Sequence, residues 1–292
     1  MTEVLQLEFM QRALLAGILV SVACGIVGTY VVVNRFVFVG GAIAHAAYGG
    51  VGLGYYLGVN PVSGAILFSL GSALAMGLVQ RKTRQRTDTV IGMMWAIGMA
   101  IGVIFVDLTP GYTADLMSYL FGSILAVPWS DLAIMLALDA AIVALVVLFY
   151  KELLAISFDE TYASTVKVRV DAVYLLLLCL VALTVVMLMR VVGLILVIAL
   201  LTMPAAIGGQ LTTNLKRMMA WSVIMGIVFT TVGLWLSYAL DLTSGGTIIL
   251  TSTAAFLVTM LCRTARTRSL ARRRQPLGGE SVAREELLEP DG

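Results

Sequence analysis

The stretch RFVFVGGAIAHAAYGGVGLGYYLG, residues 35–58, is apolar over a membrane-spanning length and carries His45, the only histidine of the 292-residue chain. Gly40, Gly41, Gly49, Gly50, Gly52 and Gly54 recur in it at helical spacings, so neighbouring helices can approach its backbone where bulky side chains would hold them away. A helix of this kind suits the inside of a bundle. An imidazole facing lipid is costly, so His45 is expected to point into the bundle or into a water-filled path. Two readings stay open for it: a residue of a transport path, or a buried ring bonded to a nearby carbonyl.

Working outward, 60% hydrophobic residues, 12% charged residues and a mean hydropathy of +0.99 exclude a water-soluble domain. Long apolar runs without the alternation of barrel strands predict an all-α polytopic membrane protein with eight or nine transmembrane helices. The spans are expected at 11–33, 37–58, 62–79, 89–106, 132–150, 172–189, 192–209, 218–240 and 247–262. The run 192–209 is the weakest, because Gly193 and Pro204 lie inside it; it is expected to be kinked or partly re-entrant. Residues 1–262 thus form a membrane domain with an internal polar loop at 151–171, and residues 263–292 a flexible tail. The first span follows acidic residues and no small-residue cleavage site, so it is expected to stay in the mature chain. Cys24, Cys179 and Cys262 sit in or at the ends of apolar runs without metal-ligand spacing and read as free buried thiols.

Lysine and arginine set the orientation. Arg35, the run RKTRQR at 81–86, Lys151, Lys167, Arg169, Lys216, Arg217 and the Arg-rich tail fall on one side, which the positive-inside rule makes the cytoplasm. The N-terminus is then outside, the C-terminus inside, and Arg190 is the one base left on the outer side. Asp107, Asp115, Asp131 and Asp241 give that outer side a negative rim, read either as attraction for a cation or as ordinary loop solvation. The segment 110–129 is too apolar for a free loop and too broken for a span, and is expected as a short outer helix or re-entrant piece. Asp139 sits mid-span among apolar residues, with a pathway role and a structural hydrogen bond both open. Met93, Met94 and Met99 would suit a soft monovalent ion, though filling gaps between helices is the commoner use. Within the internal loop, residues 157–167 are expected to form a short helix starting near Asp159.

With these residues in view, five blocks in order resemble the permease subunits of the metal-ion ABC importers, the zinc and manganese uptake family. They are FVGGAIAHAAYGGVGLG (38–54), DTVIGMMWAIGMAIGV (88–103), DLMSYLFGSILAV (115–127), the long block from FDETYASTVKVRVDA to LLTMPAAIGGQLTTNL (158–215), and SGGTIILTSTAAFL (244–257). The first is similar to the family's Gly-Asp-x-x-Ser/Ala-His-Ala segment, which carries His45 over as a pathway residue. The family aspartate, four residues before the histidine, is Gly41 here. A partner carboxylate must then come from elsewhere, and Asp139 and Asp115 are the candidates beside His45 for contact with the metal. The resemblance also implies a bacterial inner-membrane location and a homodimer. It implies two cytoplasmic ATP-binding subunits docked on Asp159, Glu160, Thr161 and Tyr162, and an extracytoplasmic metal-binding protein delivering Zn2+ or Mn2+, with iron a further option. No resident cofactor and no nucleic-acid partner are expected. The sequence has no GxxxxGK[ST] loop to hydrolyse ATP itself, no HExxH and no GxSxG, which argues against an enzyme. A proton-coupled secondary transporter using His45 and Asp139, and a siderophore- or vitamin-type ABC permease, are the alternatives.

Overall fold

The computed structural model describes residues 7–83, 86–110, 122–194 and 197–274, and among these it contains helices and no strand. In chain order the helices are α1 (Glu8–Val33), α2 (Val37–Leu57), α3 (Pro61–Lys82), α4 (Thr87–Asp107), α5 (Trp129–Leu148), α6 (Tyr150–Phe158), α7 (Glu160–Thr165), α8 (Val170–Val191), α9 (Val197–Leu211), α10 (Leu215–Leu240) and α11 (Ser244–Arg274). Eight of them, α1 to α5, α8, α10 and α11, are long and apolar enough to cross a bilayer. The chain is a polytopic α-helical membrane protein. It divides into two compact units, Met1–Thr253 and Ala254–Gly292. Helix α11 runs on to Arg274, so residues 263–274 of the expected tail are helical, in keeping with their Ala, Leu and Arg content. Residues 275–292 lie outside the described set, as does most of 110–129, of which the 3-10 turn Ile124–Ala126 is described.

Helix α2 is the most buried of the spans in the first unit, and its glycines are the reason. A Cβ built on Gly50 would lie 2.3 Å from the Gly64 carbonyl oxygen of α3, and one on Gly64 would lie 2.3 Å from the Gly50 oxygen. On another face Gly52 meets Gly102 and Gly98 meets Ala46, backbone against backbone, so α2 is clasped between α3 and α4. The connection into α3 is three residues long. Gly58, at φ 68°, ends α2 in the left-handed conformation, with the Val59 N–H donating back to the Gly54 carbonyl. Asn60 then accepts from the Val62 N–H at 2.9 Å, and Pro61 opens the next helix.

Helix α1 is joined to α10 by a seam of small polar residues. Ser21 and Thr230 hydroxyls lie 3.4 Å apart, and Thr29 and Ser222 hydroxyls 3.3 Å apart. All four also donate to the carbonyl one turn earlier, so no hydroxyl is left unsatisfied in the apolar interior. At the neighbouring position α9 comes so close that a Cβ on Gly28 would sit 2.0 Å from the Leu201 carbonyl oxygen. Since that oxygen is backbone and cannot rotate away, Gly28→Ala should push α1 and α9 apart and destabilise the fold by about 1–3 kcal/mol. A thermal-unfolding midpoint of the Gly28→Ala protein in detergent equal to that of the parent would contradict the close approach.

Side-chain contacts gather helix ends onto two faces. On one, Asn34 after α1 donates to Ser157 of α6 at 2.9 Å, Arg81 of α3 reaches α7 and α8, and the Lys216 ammonium of α10 lies 4.9 Å from the Tyr150 ring centre. The basic residues at these helix ends therefore share a face. At the other, Trp129 of α5 donates to Glu8 of α1 at 2.9 Å. Gly122 and Gly193, both at positive φ, bring their backbones together beyond the far end of α8. The segment expected as the weakest span thus starts at the second face near Gly193 and returns to the first, where Gly208 of α9 lies against Met218 of α10. The described helix there, α9, has 15 residues and is about 22 Å long. That falls short of a hydrocarbon core of roughly 30 Å. Gly193 breaks the helix before it, and Pro204 sits buried within it without an N–H to donate.

Candidate functional site

His45 lies mid-way along α2, and its ring stacks on Trp95 of α4 with centroids 4.2 Å apart and planes 22° from parallel. Its Nδ1 is buried and meets no hydrogen-bond partner among the described residues. The bland expectation of a ring bonded to a neighbouring carbonyl through this atom is not what the geometry gives. One turn earlier, a Cβ on Gly41 would lie 2.6 Å from Ile198 Cδ1 and 2.8 Å from Trp95 Cζ3. The volume a side chain would take at Gly41 is therefore held by the Trp95 indole and by α9. Gly41 and Trp95 are thus one packing solution, since a larger side chain at 41 would need the indole to move.

Of the other expected metal contacts, Asp139 stands on a different helix from His45, α5. Asp139 is 5% exposed, and it lies on the buried stripe of α5 with Leu132, Met135, Ile142 and Val146. That helix packs chiefly on α1 and α8. Its Oδ1 is buried without a hydrogen-bond partner among the described residues. Asp115 lies outside the described residues. No group of three His, Cys, Asp or Glu side chains among the described residues is arranged to hold a metal. The methionines also diverge: Met94 and Met99 pack against the core, whereas Met93 is exposed.

The second constellation is the expected short helix in the internal loop. It begins where expected, because Asp159 leaves helical geometry and its Oδ1 accepts from the N–H groups of Thr161 (2.8 Å) and Tyr162 (3.1 Å). Glu160 then makes two 2.9 Å bonds to the Arg81 guanidinium. Arg81 also approaches Asp171 at 3.5 Å and lies over the Tyr174 ring at 4.2 Å. Tyr174 in turn donates to Gln80 and meets Phe36 edge to face. Both carboxylates expected to reach for a partner protein's bases thus have partners inside the chain: Asp159 caps α7 itself, and Glu160 ties α7 through Arg81 to α3 and to Asp171 of α8. Among the exposed polar residues of this stretch, three apolar side chains also stand outward: Phe158, Tyr162 and Val166, 68%, 60% and 48% exposed.

Residues 6–263 match the ABC 3 transport family. The chain belongs to that family. Among its relatives, the membrane protein slr2045 of Synechocystis is 56% identical over 90% of this chain and 94% of its own length. The manganese transport system membrane protein MntC of Listeria monocytogenes is 35% identical over 88% and 91%. The solved structure of PsaBC from Streptococcus pneumoniae in complex with Fab superposes with a TM-score of 0.79 at 34% identity, covering 87% of this chain and 91% of that one. The resemblance of the five motif blocks to metal-ion ABC permeases and the expected fold agree with these matches.

Two residues shape these sites without a motif of their own. For Trp95 the available signal is a tryptophan at mid-span, away from the membrane interfaces where tryptophan concentrates. Arg81 is one more inner-side base in RKTRQR. Nothing local marks it out from Arg84 or Arg86, and its bonds to Glu160 and Asp171 exist only in three dimensions.

Proposed function

We propose that this chain is the membrane-spanning subunit of an ATP-driven importer for a divalent transition-metal ion. The single observation that carries this is the family match over nearly the whole membrane part, with relatives named as manganese transport membrane proteins among those it covers over about nine-tenths of their length. His45 is the cargo contact in this reading. A neutral imidazole binds Zn2+ and Mn2+ as a borderline ligand, and its unpartnered Nδ1 leaves a lone pair or proton position to spare. Without a carboxylate one turn away, the ion is held briefly, which suits a site that must release it. The Trp95 indole lies over the ring and has to shift for an ion to pass that face.

The chain lacks a phosphate-binding loop, so two ATP-binding subunits supply the energy, docking on the face where α6 and α7 present Phe158 and Tyr162. Two copies of the chain and an extracytoplasmic metal-binding protein complete the assembly. The face collecting Arg81, Lys151, Arg169 and Lys216 is the cytoplasmic one of a bacterial inner membrane. With the segment 192–211 as a ninth, partly unwound crossing, the N-terminus is outside and the C-terminus inside.

The deciding experiment is uptake of radioactive zinc and manganese ions into proteoliposomes carrying the chain with its ATPase and binding protein. Uptake is expected only with ATP and both partners. Uptake by the chain alone, driven by a proton gradient, would replace this reading with a secondary transporter. Orientation has its own check: in a thiol-free background, a membrane-impermeant reagent added to intact cells should label a cysteine at position 112 and not one at position 84.

A further inference from the structure

On the face with the basic helix ends, a cavity of about 920 Å³ opens between α1, α5, α6 and α10. Its walls are aliphatic: Val143, Val146 and Val147 on one side, Met219, Val223 and Ile224 on the other. Val147 is 71% exposed and Ile224 47%, so the walls open sideways to the hydrocarbon rather than only to water. The mouth is polar. Lys151 and Lys216 stand there, both exposed, with Glu152 as the one carboxylate, and the Lys216 ammonium is held over the Tyr150 ring at 4.9 Å. From Val143 to Leu148 the wall follows the last turns of α5, and Lys151 stands in the first turn of α6.

We propose that this groove is a binding site for one anionic phospholipid, its phosphate between Lys151 and Lys216 and its acyl chains along Val143, Val147 and Ile224. Charge and position select this occupant. Two cations against one carboxylate at headgroup depth favour an anion, and an apolar slot open to the bilayer takes alkyl chains, which a soluble phosphate compound would leave unfilled. The site involves neither His45 nor the α7 ridge, and it stands whether or not the cargo is a metal.

The test uses the full-length chain in nanodiscs of phosphatidylcholine with or without phosphatidylglycerol, followed by native mass spectrometry and thermal unfolding. One phosphatidylglycerol per chain should survive extraction and raise the unfolding midpoint. Lys151→Gln/Lys216→Gln should weaken its retention about 30-fold, since each base near an anionic headgroup is worth about fivefold. Lys82→Gln, which alters an exposed lysine elsewhere on the same face, should leave retention unchanged. If the double variant does not fold, Ile224→Trp, which fills the slot and keeps both lysines, should displace the lipid instead. Equal retention by the variants and the parent would overturn the proposal. So would the same midpoint rise from inorganic phosphate in phosphatidylcholine, or efficient disulfide formation between two copies of an Ile224→Cys chain in otherwise thiol-free membranes, which would make the groove a contact between copies.

Discussion

His45→Ala should cut ion uptake by about tenfold or more, the equivalent of about 1.4 kcal/mol at the barrier, while the complex still assembles and hydrolyses ATP. The imidazole is the one side chain of α2 that offers a metal-binding lone pair without first losing a proton, and the neighbouring position, Gly41, offers nothing to replace it. Removing the ring also leaves Trp95 without its stacking partner, so the substitution needs a control that keeps volume and polarity. His45→Gln serves: it fills the same space with a much poorer metal ligand and should also fail. Uptake at the parent rate by a folded His45→Ala complex would show that the ring is only a packing element. Gly41→Asp is instructive in the same assay. Its Cβ would meet Ile198 and Trp95 side chains at 2.6 and 2.8 Å, so the single substitution should lose stability rather than build a tighter site. Combined with Trp95→Ala, which empties that volume, it should slow release of the ion.

Glu160→Arg should uncouple ATP hydrolysis from transport. The substitution removes a two-point bond to Arg81 and sets two guanidiniums face to face at the base of α7. The pair is partly exposed, so its own contribution to stability is about 1 kcal/mol or less. The functional loss is expected to be larger than that figure suggests, because a six-residue helix has few other ties and its angle sets where Phe158 and Tyr162 point. The charge swap Arg81→Glu/Glu160→Arg separates the two effects: it restores the pair, though not the contact of Arg81 with Asp171, and should recover part of the coupled activity. Full transport by Glu160→Arg alone would remove the ridge from the mechanism. Recovery by neither variant would mean that Glu160 itself meets the ATPase, as the sequence had suggested.

The membrane fold, the run of spans and the inside location of α2 were legible in the chain alone. They depend on quantities that a linear reading carries: the length of apolar runs, the spacing of glycines and the placing of bases. The cap at Asp159 was legible for the same reason, since a carboxylate reaches only N–H groups two and three residues ahead. Tertiary structure decided the rest. Asp139 and His45 look equivalent as buried polar residues in a sequence, and only the packing of α5 on α1 and α8 keeps them in separate places. What fills the space beside Gly41 could not be inferred, because Trp95 and Ile198 are brought there from helices more than fifty residues away in the chain. Arg81 had the same charge and local neighbours as the bases beside it, and its role follows from lying within reach of two carboxylates on α7 and α8. Local patterns fix which segments are helices and which faces are apolar; which side chains meet depends on how those helices cross, and that is set by the close glycine contacts of α2 and α1.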